Sequence, residues 1–342
     1  GAAYHGGNPE RERWQRALRM IVLVFTGGTI SMKHDPTVDG AVPTLTGEEI
    51  VQATRGLADV TDVEVDEWGM FPGPHMTVER MWAVRNRVRA HLSRPEVDGV
   101  VVTHGTDALE ESAYLVGRSL SAEKPVVFTG AMRPASDIGW DGPSNLLDAA
   151  RVAASPHSRG KGTLVCLGER IHSALEVTKS HTEARDAFES PSLGALGEVD
   201  EGIVSYRRAL LMLPEPLDPP QPVEPVDIVH VWAGADARLL DCSRESGAQA
   251  VVVAAMGRGN VPPATFEGVV RWVESGRPIV ITSRALRGRI GPTYGYPGGG
   301  RRVLEAGAIF AYGKRPGQAR IDTMLALGLG MNCAEIRELF AK

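Results

Sequence analysis

At 342 residues, with 43% hydrophobic and 23% charged residues, the chain is long enough for two domains with buried cores and has an ordinary globular composition. A formal net charge of −5 offers no electrostatic footprint for nucleic acid or an anionic membrane surface, and no apolar run reaches the ~18 residues that would span a bilayer. Three scattered cysteines, Cys166, Cys242 and Cys333, make neither a disulfide framework nor a metal-ligand spacing, which points to a reducing, cytoplasmic setting.

Residues 1–19 are polar and charged and lack the apolar core of a signal peptide, so they read as an N-terminal extension. Met20 to Phe25 (MIVLVF) predicts a first strand running into Thr26-Gly27-Gly28-Thr29-Ile30. Thr46 and Glu49 form a capping-box pattern ahead of Ile50, and Thr77 precedes a helix rich in Arg, Val and Trp. Gly99 to Val102 predicts a strand leading into Thr103-His104-Gly105-Thr106-Asp107, with a helix (ALEESAYLVGRSL) opening at Asp107. Pro125 to Phe128 leads into Thr129-Gly130-Ala131-Met132-Arg133-Pro134, and Gly162 to Leu167 is a further strand. Apolar strands buried on both faces and alternating with helices predict a doubly wound α/β sheet.

Residues 213–225 hold six prolines, a density that makes a stiff, extended connector. The expected organisation is a larger N-terminal α/β domain over 20–212, a proline-rich linker over 213–225 and a smaller C-terminal α/β domain over 226–342. In the latter, Val226 to Val231, Ala250 to Ala255 and Pro278 to Thr282 read as strands. A last helix runs from Ile321 to Phe340, interrupted at Gly328 to Asn332.

In open α/β sheets, ligands bind beyond the carboxyl ends of the strands, where this chain concentrates Thr, Gly and Asp. The glycines of Thr26–Ile30 permit a tight turn and leave amide N–H groups for an anion or oxyanion. Neither G-x-G-x-x-G nor a Walker lysine follows, so a nucleotide loop is disfavoured. Taken singly, each residue has a bland reading: Gly-Gly-Thr a structural turn, Asp107 a helix N-cap, Lys179 a surface lysine. Thr26 and Thr103 read as structural, His104 and His181 as hydrogen-bonded supports, Asp141 and Asn145 as fixing a loop and a helix start, and Met81, Trp82 and Trp140 as packing.

Together the blocks say more. Thr26-Gly27-Gly28-Thr29-Ile30, His104-Gly105-Thr106-Asp107-Ala108-Leu109-Glu110-Glu111-Ser112-Ala113, Thr129 to Pro134, Asp141 to Leu146 and Val177-Thr178-Lys179 stand in that order. The set resembles the bacterial-type L-asparaginase family, closely over 20–205 and more loosely beyond. The resemblance implies an amidohydrolase that releases ammonia from a small side-chain amide through an acyl-enzyme. Thr29 matches the nucleophile; Thr106, Asp107 and Lys179 match a second group in which the lysine, oriented by the aspartate, acts through the threonine hydroxyl. For a lysine to serve as base, burial must lower its pKa against the raising effect of a carboxylate. Asp107 is also suited to hold a substrate ammonium. Backbone amides of the turns flanked by Gly28 and Gly105, Thr29 or Thr106 with Ala131 as a further candidate, are expected to form the oxyanion hole.

Two departures bear on specificity. The family's carboxylate-binding segment falls on Gly73-Pro74-His75-Met76, where proline supplies neither N–H nor hydroxyl and His75 is left as the replacement. The loop Ser31 to Gly40, read as a lid, lacks the tyrosine of secreted members, leaving His34, water or Thr106 to substitute. The family's smaller domain completes a neighbouring subunit's site, which implies a homodimer or homotetramer. Asn260, within Gly257-Arg258-Gly259-Asn260-Val261, is the candidate for that contribution, and Tyr294 to Gly300 reads as a flexible loop. The expected partner is a small amide, with no cofactor, metal, nucleic acid or membrane. L-asparagine leads. A different amide (glutamine, a D-amino acid or a secondary metabolite) is the alternative, and a non-catalytic binding relative is disfavoured by Thr29, Thr106, Asp107 and Lys179 together. A tRNA-dependent amidotransferase subunit is disfavoured by the acidic charge.

Overall fold

A computed structural model describes residues 20–210 and 212–341. The chain forms two compact units that divide between Glu215 and Pro216. In chain order the first unit contains β1 (Met20–Gly27), β2 (Met32–Asp35), β3 (Gly40–Pro43), β4 (Asp62–Phe71), β5 (Val97–Thr103), β6 (Val126–Thr129), β7 (Thr163–Leu167), β8 (Arg170–Ser173), β9 (Thr178–Lys179), β10 (Phe188–Glu189), β11 (Gly197–Asp200) and β12 (Ile203–Tyr206). Eight of them make one sheet in the order β12-β11-β8-β7-β6-β5-β1-β4. The run from β4 through β1, β5 and β6 to β7 is parallel, and β8, β11 and β12 extend it antiparallel.

The burial of β1 follows from its alternation. Ile21, Leu23 and Phe25 pack on one face with Ile50, Leu146, Ala149 and Val152. Val22 and Val24 pack on the other with Val84, Val88, Leu109 and Ala113. A strand with helices over both faces has no polar side to show, so it reads as a continuous apolar run. The chain leaves β1 for β4 on one flank and then crosses to β5 on the other. That reversal puts a topological switch point between β1 and β5, where an open α/β sheet leaves a crevice.

Local signals place the helices. Thr46 accepts from the Glu49 amide while the Glu49 side chain accepts from Thr46 N–H, a complete capping box on Gly47–Ala53. Thr77 caps Val78–Leu92 through the Arg80 amide. The helix after β5 spans Thr106–Ser119 with Gly105 as its cap and no side-chain cap bond. Asp107 is therefore not the N-cap its sequence position suggested: it lies in the first turn, its carboxylate turned to Lys179.

Two segments depart from the sequence reading. β4 (DVEVDEWGMF) shows no apolar run because it is the sheet edge, where side chains are half-buried and charges are tolerated. The Ser31–Gly40 loop is a hairpin, β2 against β3 with Met32 opposite Pro43 and Asp35 opposite Gly40.

The second unit is a parallel sheet of β13 (Val226–His230), β14 (Ala250–Ala255), β15 (Ile279–Ser283) and β16 (Ile309–Phe310), in that order. Val251, Val253, Ile279 and Ile281 form its core with Trp272. Its C-terminal helical stretch is two helices, Pro316–Gly328 and Cys333–Ala341, separated near Gly330, whose φ is 77°. Tyr294 to Gly300, read as a flexible loop, is tied down: Gly298 O accepts from Val261, Gly299 donates to Tyr296 O, and Tyr294 stacks on Tyr296 at 5.6 Å. Gly298, at φ 80°, lies so close to the Val261 carbonyl that a side chain there would collide with it.

Candidate active site

The switch point is assembled by glycines in contact. A methyl group on Gly28 would lie 2.5 Å from the Cα and N of Gly105, and one on Gly105 would lie 2.5 Å from Gly73 N. One on Gly130 would lie 2.5 Å from His104 O and 3.3 Å from the Thr106 methyl. Loops following β1, β4, β5 and β6 thus touch backbone to backbone, at a separation only glycine allows. Gly28 also has φ 87° and donates its N–H to Phe71 O at 2.9 Å, which joins the β1 and β4 turns. The residues immediately after the touching pair Gly28 and Gly105 are Thr29 and Thr106. Thr29 opens a short 3-10 turn and is half-buried, while Thr106 is buried.

Lys179, at the end of β9, donates from Nζ to Thr106 Oγ1 at 2.9 Å and to Asp107 Oδ1 at 2.6 Å. Its side chain is 17% exposed and that of Asp107 is 60% exposed. The lysine is thus held mostly inside while the carboxylate faces solvent. Lys179 is the donor in both bonds, so the Thr106 oxygen accepts and its own O–H is left to point elsewhere. A cleft of about 360 Å³ is lined by Asp107, Glu110, Lys179, Ser180, His181 and Thr182.

Neighbouring groups hold the loops. His104 is fully buried, with Nδ1 donating to Gly105 O at 2.8 Å and Nε2 accepting from Ser112 at 2.8 Å. Burial pushes its pKa down to about 4, against a small opposing effect of the Gly105 carbonyl, so it is a neutral support. His181 Nδ1 accepts the amides of Glu183 and Ala184, each at 3.0 Å. Asp141 accepts the amides of Met132 and Arg133, and Asn145 Nδ2 donates to Gly130 O at 2.9 Å. These bonds fix the turn holding Gly130 and the buried Ala131. Thr26 Oγ1 donates to Thr103 O at 2.8 Å, a strand-to-strand tie.

The remaining expected residues are placed as follows. Gly73 is buried against Asp107, with 3.3 Å from the position of an added methyl to Asp107 Cβ. Pro74 and His75 are exposed, and the His75 carbonyl accepts from Arg80, whose guanidinium lies 4.1 Å above the Phe71 ring. His34, in the hairpin after Thr29, pairs with Asp39 at 3.3 Å. Asn260 belongs to the second unit, where its Oδ1 accepts from Gly300 N–H at 2.9 Å. The sequence reading passed over Glu110, whose Oε2 accepts the Lys179 amide at 2.5 Å. Its position, four residues after Thr106 and three after Asp107, puts it on their helix face, and that spacing was the available signal. Among the described residues no group of three or more His, Cys, Asp or Glu is placed to hold a metal ion, and no helix is long and apolar enough to cross a membrane.

Comparison with known proteins adds the class. Residues 20–211 match the family described as "Asparaginase, N-terminal", and residues 225–340 match "Glutaminase/Asparaginase C-terminal domain". A probable L-asparaginase of Deinococcus radiodurans is 37% identical over 334 residues, covering 95% of this chain and 98% of its own. The L-asparaginase 2 of Bacillus subtilis is 31% identical, covering 92% of this chain and 84% of its own. A solved structure, a probable cytoplasmic L-asparaginase from Campylobacter jejuni, superposes with a TM-score of 0.84 at 27% identity, over 95% of this chain and 99% of that one. The chain is an amidohydrolase with a two-domain mixed α/β fold. It belongs to the asparaginase family.

Proposed function

We propose that this chain hydrolyses L-asparagine to L-aspartate and ammonia, with Thr29 as nucleophile and Thr106, Asp107 and Lys179 handling protons. The observation that carries the reading is Lys179 Nζ, 2.6 Å from Asp107 Oδ1 and 2.9 Å from the Oγ1 of Thr106, which directly follows Gly105, the glycine that touches the turn presenting Thr29. The Thr29 hydroxyl attacks the amide carbonyl. Its proton passes to the amide nitrogen, the C–N bond breaks, and ammonia leaves an ester on Thr29. Water attacks that ester and gives its proton through Thr106 to Lys179 in its amine form; the C–O bond to Thr29 breaks, and the proton returns from the resulting ammonium to the Thr29 oxygen. Amides of the turns around Gly28, Gly105 and Ala131 receive the developing oxyanion.

Asp107, at the mouth of the cleft, takes the substrate ammonium. His75 is the exposed candidate for the α-carboxylate, with Gly73 and Pro74 as its framework. We place the activity in the cytoplasm and in a homodimer or homotetramer, with Asn260 contributed by a second copy. Gel filtration with light scattering tests the assembly, and a monomer with full turnover removes Asn260 from the reading. Pro74, which has no donor to offer a carboxylate, favours a second reading in which a different amide is hydrolysed. Ammonia release from L-Asn, D-Asn, L-Gln and simple amides, by the wild type and Thr29→Ala, decides between them. Turnover of L-Asn that disappears in Thr29→Ala supports the proposal. Turnover surviving in Thr29→Ala sinks the mechanism, and turnover of another amide alone sinks the substrate.

A further inference from the structure

We infer that Glu110 is the positioning residue that docks the lysine-bearing strand onto the helix carrying Thr106 and Asp107. The inference rests on the reading of Lys179 as the proton-handling amine. β9 is two residues long and lies outside the large sheet, paired with β10 alone. In that antiparallel pair Ser180 N–H donates to Ala187 O at 2.7 Å, and Lys179 stands opposite Phe188. Successive amides along a strand point to opposite sides, so the Lys179 amide faces away from β10. The ladder gives that amide no partner, and Glu110 Oε2 takes it at 2.5 Å.

One helical turn therefore holds the lysine at three points. Thr106 and Asp107 receive the end of the side chain, and Glu110 receives the backbone from which it grows. Without the last contact, a two-residue strand must fix the origin of a flexible four-carbon side chain. A displacement of about 1 Å is enough to cost about 100-fold in rate at a site whose geometry is set for proton transfer. The carboxylate acts here as an acceptor, so its charge is dispensable while its oxygen is not. A glutamine in its place keeps an amide oxygen at the same reach.

Steady-state ammonia release from Glu110→Ala, Glu110→Gln and Glu110→Asp, with Lys179→Met alongside, tests the assignment. Glu110→Ala is expected to lower kcat about 10- to 100-fold with KM within about twofold of wild type, the range lost when a supporting residue is removed. Glu110→Gln should return to within a few-fold of wild type. Glu110→Asp, one methylene short, should resemble Glu110→Ala and carries the test if the alanine variant does not fold. Wild-type kcat in Glu110→Ala overturns the inference. So does Glu110→Gln as poor as Glu110→Ala, which makes the charge the active feature, or a loss confined to KM, which makes Glu110 a substrate contact. Lys179→Met with full turnover removes the mechanism itself, whereas an inactive Lys179→Met beside a fully active Glu110→Ala removes Glu110 alone. A crystal structure of Glu110→Ala with Lys179 Nζ still bonded to Thr106 overturns the inference whatever the turnover.

Discussion

Replacing Gly105 by alanine perturbs the site without perturbing the backbone. Gly105 has φ −65° and ψ 128°, a conformation alanine adopts freely, so any effect is steric. The new methyl would stand 2.5 Å from Gly73 N and 2.6 Å from Gly73 Cα, about 0.9 Å inside the 3.4 Å at which ordinary contact begins. Both neighbours are main chain, and neither can rotate aside. The turn after β4 must move away by about 1 Å, or the start of the Thr106 helix must move instead. Overpacking of that kind costs about 1–3 kcal/mol, or roughly 2–12 °C in melting temperature for a unit of this size. A 1 Å shift between reacting groups lowers turnover about 100-fold. Differential scanning fluorimetry and ammonia release measure the two effects. Gly295→Ala, with nothing within 4 Å of the added methyl, is the matched control and should behave as wild type. Wild-type turnover and melting temperature in Gly105→Ala would refute the view that glycine contacts set the spacing of the site.

Thr106→Val keeps the shape of a buried side chain but removes the hydroxyl that accepts from Lys179. It should lower kcat about 10²- to 10⁴-fold with an unchanged circular dichroism spectrum, and turnover within threefold of wild type would exclude Thr106 from proton transfer. Acid should destabilise the first unit through His104 and His172, which burial holds near pKa 4, with Arg170 and Arg208 also lowering His172. Both are depressed below the ordinary 6.5, so the unfolded chain binds their protons first. Their contribution is intact above pH 6.5 and is lost as pH falls toward 4, about 3 kcal/mol for each histidine. Urea midpoints at pH 7 and pH 4.5 should differ less for His172→Gln than for wild type, and an equal difference would remove His172 from the explanation.

The parts of the fold legible in the sequence are those where both faces of an element meet protein. β1, β5, β6 and β7 declare themselves as apolar runs because helices cover them. β4 does not, since an edge strand carries Asp62 and Glu67 exposed and Glu64 and Asp66 in ion pairs with Arg94 and with Arg87 and His91. The hairpin after Thr29 was hidden for a related reason: β2 (MKHD) is polar and half-exposed, and β3 (GAVP) is four residues bounded by glycine and proline, so no period-2 pattern stands out. Thr29, Thr106 and Asp107 were singled out by the resemblance of the ordered blocks to the asparaginase family; strand-end position alone left each with a bland structural reading. The approach of Lys179 to Thr106 and Asp107 depends on a return of the chain from 73 and 72 residues away, which no local pattern encodes. For Glu110, spacing places it on the face of Thr106 and Asp107, but its partner, a backbone amide 69 residues distant, is not encoded locally. Asp107 misled as a cap because its carboxylate is drawn to a lysine that local reasoning cannot see.

The single turn from Thr106 to Glu110 also makes predictions about length. An α-helix advances about 100° per residue, so one residue inserted between Asp107 and Glu110 would swing the glutamate off the face it shares with the threonine. Added residues in the exposed turn at 275–276, far from any of these contacts in sequence, leave the angular relation untouched. Relatives of this protein are therefore free to differ in chain length around their loops, while the count of residues between the two ends of that turn is held by geometry.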